Sequence, residues 1–346
     1  MNNSIRFLSL LTIVFITLLF INGIHKSDVE SKTNTHENYK IKALKLPQDL
    51  NFAGERVPLE NPNIFERMDR ELLVNTYWQS NGLLLFKRAN KYFPVLEPLL
   101  KKHGLPDDFK FLALAESAFI DETSSAGAAG IWHFMVETGK EYGLEINSNV
   151  DERYHIEKST AVAAEYLKKS KEKLGSWTLA AAAYNAGNYG VSSRLEAQKV
   201  KSYYEVLLPN ETEHYVFRIL ALKEIMTNPE KYGFVFEKED LYTLPEITIV
   251  KVDTTITNLV LFGKKFGVTY KELKINNAWL RENKLNNNIE FKEFKFENSG
   301  NNNKESNDEV AEEDYDVFYQ MEKEEEMKKE KKRIQLKIFK FYMYKH

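Results

Sequence analysis

Apolar side chains recur every three to four residues in successive runs between Phe65 and Met226, and glycines close two of those runs, at Gly175 and Gly187. The pattern predicts packed helices. Phe65, Met68, Leu72 and Leu73 share one stripe, Leu84 to Tyr92 form another, and Tyr215, Ile219, Leu222 and Met226 a third. Further helices are predicted from about Ser159 to Gly175 and over the alanine-rich TLAAAAYNAG. Asn210, with Glu213 three residues on, predicts a capping box ahead of the third stripe. Pro106 fits a first helical turn, where Asp107 and Asp108 would meet the positive end of the dipole.

The helix after Pro106 carries Phe109, Leu112, Ala113 and Glu116 at i, i+3, i+4 and i+7, so a carboxylate sits on an apolar stripe. Burial there disfavours its charge and raises its pKa toward the range where an acid can donate a proton near neutrality. A solvated helix-end glutamate is the plain alternative. The small residues Ser124 to Gly130 follow, allowing close backbone approach before Trp132.

At 346 residues and 43% hydrophobic, the chain can bury one good-sized domain and a smaller one. A net charge of −3 gives no basic face for nucleic acid. With no cysteine there is no disulfide, thiolate nucleophile or thiolate zinc site. The histidines show no HExxH-like spacing, so neither metal nor cofactor is expected.

Arg6 precedes an apolar run from Phe7 to Ile24, which reads as an export signal. Residues 1–25 are then a cleaved signal or an uncleaved membrane anchor; no small-x-small cleavage site decides between them, and the run is near the lower length limit for a bilayer span. Residues 26–50 read as a polar tether, and residues 297–346 as a charged tail with an acidic and then a basic block.

Several motifs, in order, resemble a known family: Glu116-Ser117 after an apolar helix, Gly127-Ala128-Ala129-Gly130-Ile131-Trp132-His133-Phe134-Met135, Ala183-Tyr184-Asn185-Ala186-Gly187, and Glu211-Thr212 with Tyr215-Val216. Together they resemble the soluble lytic transglycosylase domain, of the membrane-bound lytic murein transglycosylase D type. The resemblance implies a mainly α, lysozyme-like catalytic domain over residues 51–236, acting in the cell envelope on the peptidoglycan bond between MurNAc and GlcNAc. It implies that Glu116 is the single catalytic acid and base, with the substrate's own C6 hydroxyl as nucleophile. Tyr215 is expected to donate toward Glu116, Tyr184 and Asn185 to line the cleft, and Ser117, Ser124 and Ser125 to bond sugar or Glu116. Trp132 is expected to stack on a sugar or to lie in the core. His133 stands where the family more often has glutamine, and can still donate and accept. Asp151-Glu152-Arg153 is expected to form a structural ion pair. Two alternatives stay open: a goose-type lysozyme-like hydrolase assisted by Asp121, Glu122 or Asp151, and a non-catalytic wall-binding scaffold.

Past Phe236 the period changes. Ile247, Ile249 and Val252 suggest a strand, two short helices split at Gly267 follow, and IEFKEFKF can supply a last strand. Residues 244–296 thus resemble a β-α-α-β LysM peptidoglycan-binding module.

Overall fold

The computed structural model of the chain describes residues 41–287 and 291–298. The expected signal or anchor, the tether before residue 41 and the tail beyond residue 298 lie outside the described residues. The chain divides into two compact units, one ending at Leu244 and one beginning at Pro245. Each is described by itself.

The first unit is helical. A small antiparallel hairpin of β1 (Asn51–Phe52) and β2 (Glu55–Arg56) leads into α1 (Pro62–Tyr77), α2 (Gln79–Lys102), α3 (Phe109–Ser117) and α4 (Val136–Glu141). Next come α5 (Ile156–Leu174), α6 (Trp177–Ala186), α7 (Asn188–Gln198) and α8 (Asn210–Thr227). Helix α8 packs on α1, α3 and α6 and is buried nearly all round. Each fully buried Leu, Ile or Phe in such a core contributes about 1.5–3 kcal/mol.

Several local expectations are corrected. In α1 the buried row is Ile64, Met68, Leu72 and Thr76, whereas Phe65 is 45% exposed. Ile64 stands about one turn before Met68 and shares its side, whereas Phe65 is rotated about 100° round the helix from Ile64. Helix α3 starts at Phe109 after a turn in which the carbonyls of Pro106, Asp107 and Asp108 accept from Phe109, Lys110 and Phe111. Asp108 instead accepts from Ala53 N (2.6 Å) and Lys223 Nζ (2.7 Å), tying the hairpin and α8 to the start of α3. No capping box opens α8: Pro209 fixes the entry at φ −56°, and the Glu213 carboxylate accepts from Leu208 N and pairs with Arg67 at 3.3 Å. The last ten residues of the expected tether are not free. Leu44 and Leu46 pack on the core, Leu50 is buried, and Lys42 exchanges backbone hydrogen bonds with the Tyr77 hydroxyl. The leucines supply the apolar surface that the polar average of the stretch conceals.

The second unit is a β-α-α-β module of β3 (Ile247–Val252), α9 (Leu259–Lys265), α10 (Tyr270–Asn276) and β4 (Lys292–Glu297). The strands are antiparallel, with Thr248 opposite Phe296 and Val250 opposite Phe294. This register reverses the expected phase of β3. Phe294 and Phe296 are buried and Val250, opposite Phe294, is half-buried, whereas Thr248 is exposed and Ile247 and Ile249 are 37% and 53% exposed. Thr269 and Glu272 form a capping box on α10, and buried Asn277 bonds to both the Lys295 N–H and its carbonyl, fixing the helix end to β4.

Candidate active site

Phe109, Leu112 and Ala113 are fully buried, and the same stripe carries Glu116 into the last turn of α3. The helix stops at Ala118, which adopts φ +48° and turns the chain away. The Glu116 side chain keeps 17% exposure. Burial is the main cause that pushes its carboxyl up to about 7; the Tyr215 hydrogen bond and the Arg218 charge oppose this rise, while Glu211 adds to it.

The two carboxylate oxygens have different neighbours. The Tyr215 hydroxyl donates to Oε1. Burial, then the Glu116 charge, hold that phenol well above its ordinary value, so it stays a donor. Oε2 has His133 Nδ1 at 3.9 Å, beyond hydrogen-bond range. Burial lowers the His133 pKa, which favours the neutral ring. Because Oε1 already accepts the phenol proton, a proton carried by the acid sits best on Oε2.

The loop facing this glutamate is held from several sides. Ser117 Oγ donates to Ile131 O (3.0 Å) and accepts from Phe119 N. Tyr184 donates its hydroxyl proton to Trp132 O (2.7 Å), and Trp132 Nε1 donates to Thr160 Oγ1 (3.0 Å). Arg153 pairs with Asp151 through Nε (3.0 Å) and Nη2 (2.7 Å) and donates Nη1 to the carbonyls of Gly127 and Phe134. Gly130 passes so close that an added Cβ would lie 1.9 Å from Arg153 O, so only glycine fits. Glu55 of β2 accepts from Trp177 N, Thr178 N and Thr178 Oγ1, setting the start of α6 and with it the Tyr184-Asn185 end.

These contacts correct several expected roles. Trp132 has 0% exposure and cannot stack on a sugar; it is core, because its indole fills the space behind the loop and finds its partner in Thr160. Ser117 is buried with its hydroxyl turned to backbone groups rather than to Glu116. Ser124 holds its own turn, accepting from Ala128 N at 3.0 Å, while Ser125 is exposed. Tyr184 lies beside Glu116 electrostatically, but its proton is committed to Trp132 O. Asn185 is exposed and accepts from Thr212 Oγ1 (2.8 Å), which ties the end of α6 to the start of α8. Asp151, one of the helpers considered for hydrolysis, is buried in its pair with Arg153. Among the described residues, no group of three His, Asp or Glu side chains is placed to hold a metal ion.

Residues 94–207, which contain Glu116 and the loop around it, match the family model of the Transglycosylase SLT domain. Residues 248–297 match the model of the Soluble lytic transglycosylase C-terminal LysM-like domain. Membrane-bound lytic murein transglycosylase D of Escherichia coli strain K12, and the protein of that name from Escherichia coli O6:H1, are each 32% identical to this chain over 191 residues. The match spans 53% of this chain and 41% of those relatives, so the chain covers under half of their length.

In the helical unit, three charged groups tied to Glu116 or to its neighbours escape a residue-by-residue reading. Glu211 and Arg218 lie at i−4 and i+3 from Tyr215 on α8, and Glu71 reaches Arg218 from α1. The spacing of 211, 215 and 218 is a one-face helical signal that could have found the first two. The Glu71 contact depends on tertiary packing, and nothing local announces it.

Proposed function

We propose that the protein is a peptidoglycan lytic transglycosylase that cleaves the β-1,4 bond between MurNAc and GlcNAc and leaves a 1,6-anhydroMurNAc end. The observation that carries this reading is Glu116 itself: one buried carboxyl, pushed up to about 7, with a phenol fixed on one oxygen, inside an SLT domain. In this mechanism Glu116 Oε2–H protonates the glycosidic oxygen as the C1–O bond breaks. The resulting carboxylate then takes the proton from the C6 hydroxyl of the same MurNAc, whose oxygen bonds to C1. The proton returns to Glu116 and no water is consumed. Because the nucleophile is tethered to the electrophile, no second carboxylate is needed. The burial of Asp151 against Arg153 favours this reading over hydrolysis with that residue as helper.

Tyr215 keeps Glu116 oriented, while Asn185, His133 and Ser125 are the polar groups proposed to contact the glycan. The LysM-like unit adds wall binding. Action in the cell envelope, with the N-terminal segment as signal or anchor, completes the proposal; among the described residues no helix is long and apolar enough to cross a membrane.

Incubation of the full chain with purified sacculi tests the reading. Mass spectrometry is expected to find muropeptides one water lighter than reducing-end products. Reducing ends alone would point to hydrolysis, and binding without release to a scaffold. Tyr215→Phe removes a hydrogen bond that lowers the Glu116 pKa. The alkaline limb of the rate is therefore expected to move up by about half a pH unit or more, with a rate loss of about tenfold. Release assays across pH measure both.

A further inference from the structure

Helix α8 turns one face toward the catalytic carboxyl, and that face carries Glu211, Tyr215 and Arg218 at successive turns. Tyr215 reaches Glu116. Arg218, one turn further on, is clamped from both sides. Its Nη1 donates to Glu211 Oε1 at 2.9 Å, and its Nε lies 3.8 Å from Glu71 Oε2 on α1. Glu71 is only 1% exposed, and it also takes Arg70 and has His214 Nδ1 at 3.3 Å. A buried carboxylate is costly to desolvate, and the Arg70 and Arg218 guanidinium groups beside it offset that cost and are held by it in return. The Arg218 guanidinium it holds stands one turn after Tyr215 on α8, and its positive charge acts on both members of the Tyr215–Glu116 pair.

We propose that Arg218 is a positioning residue for the acid-base glutamate: braced between Glu71 and Glu211, it supplies a fixed positive charge beside the Tyr215–Glu116 pair and so stabilises the carboxylate formed after the first proton transfer. The inference rests on the reading of Glu116 as the acid and base. The groups facing Glu116 are Tyr215, Arg218 and Glu211 from α8, Tyr184 from α6 and His133 from the loop before α4. Those facing Arg218 are Glu211 and Tyr215 on its own helix and Glu71 from α1. Glu211 raises the proton affinity of Glu116 and Arg218 lowers it, so neutralising Arg218 leaves the unfavourable neighbour unopposed.

The test uses the full chain as wild type, Arg218→Met, Arg218→Lys and Glu116→Gln. The Glu116 carboxyl is titrated by carbon-13 NMR, and muropeptide release is followed from about pH 5 to about pH 9. In Arg218→Met both the titration and the alkaline limb of the rate are expected to move up by about half to one pH unit, and Arg218→Lys is expected to recover most of that shift. An Arg218→Met titration that stays at the wild-type position while the rate falls would reduce Arg218 to a structural role and overturn the proposal; so would a lysine variant displaced as far as the methionine one. If Arg218→Met does not fold, Arg218→Gln takes its place under the same two criteria. Full release by Glu116→Gln sinks the acid-base reading itself, whereas an inactive Glu116→Gln beside an unmoved Arg218→Met titration sinks only the role of Arg218.

Discussion

Replacing Glu116 by glutamine is expected to cut muropeptide release from sacculi by about 10²- to 10⁴-fold, the range for loss of a general acid-base group. Glutamine fits the same space and can still accept the Tyr215 hydrogen bond at Oε1, but the amide N–H at the second position is not acidic enough to protonate a leaving oxygen, and its nitrogen does not act as a base. The same substitution is expected to stabilise the fold. The Glu116 carboxyl rises from the ordinary 4.5 to about 7 on folding, so the folded state binds its proton more tightly than the unfolded chain does. A raised pKa contributes its stability below the unfolded value, and that contribution is lost as pH climbs through the folded value. Glutamine never ionises and escapes the loss. Glu116→Gln should therefore match wild type near pH 4, gain between about pH 4.5 and pH 7, and level off above that at a gain of about 3 kcal/mol. Urea unfolding at several pH values measures it. Activity and stability moving in opposite directions at one residue would mark a site built against its own fold.

The largest expected loss of stability comes from Arg153→Met. The guanidinium is 7% exposed, pairs with Asp151, and satisfies the carbonyls of Gly127 and Phe134. Its removal leaves the buried Asp151 carboxylate without its counter-charge and takes one donor from each of the Gly127 and Phe134 carbonyls, the second of which keeps Ala129 N, a change that costs about 3–5 kcal/mol. The double variant with Asp151→Asn should recover part of that cost, because the uncompensated charge is gone. The midpoint in urea reads the loss. Since Arg153 holds the loop that carries His133 beside Glu116, the rate of release should fall more than the folded fraction does.

Much of this site is legible in the chain, because its central group is set by local periodicity. Glu116 shares a stripe with Phe109, Leu112 and Ala113, and those three are fully buried. The pairing of Arg153 with a carboxylate also follows from neighbouring residues. Residue type alone is less informative where a side chain has two uses. Trp132, Ser117 and Tyr184 look like groups that would meet a sugar, yet their polar atoms hold the loop to the core. A motif records that a residue is needed and does not record which way its hydroxyl or indole points. The phase of β3 was hidden for a related reason. Ile247 and Ile249 outrank Thr248 and Val250 in hydrophobicity, but the buried Phe294 and Phe296 on β4 select the register. Glu71 and Arg218 meet only through the packing of α1 on α8, across well over a hundred residues of chain.

The central claim is that one buried glutamate suffices because the attacking oxygen belongs to the sugar. Digestion of purified sacculi by the full chain in water enriched in oxygen-18, followed by mass spectrometry of the new glycan ends, tests this most directly. Anhydro ends without the heavy isotope are the predicted result; oxygen-18 at C1 of the released MurNAc ends, in a reaction abolished by Glu116→Gln, would contradict it.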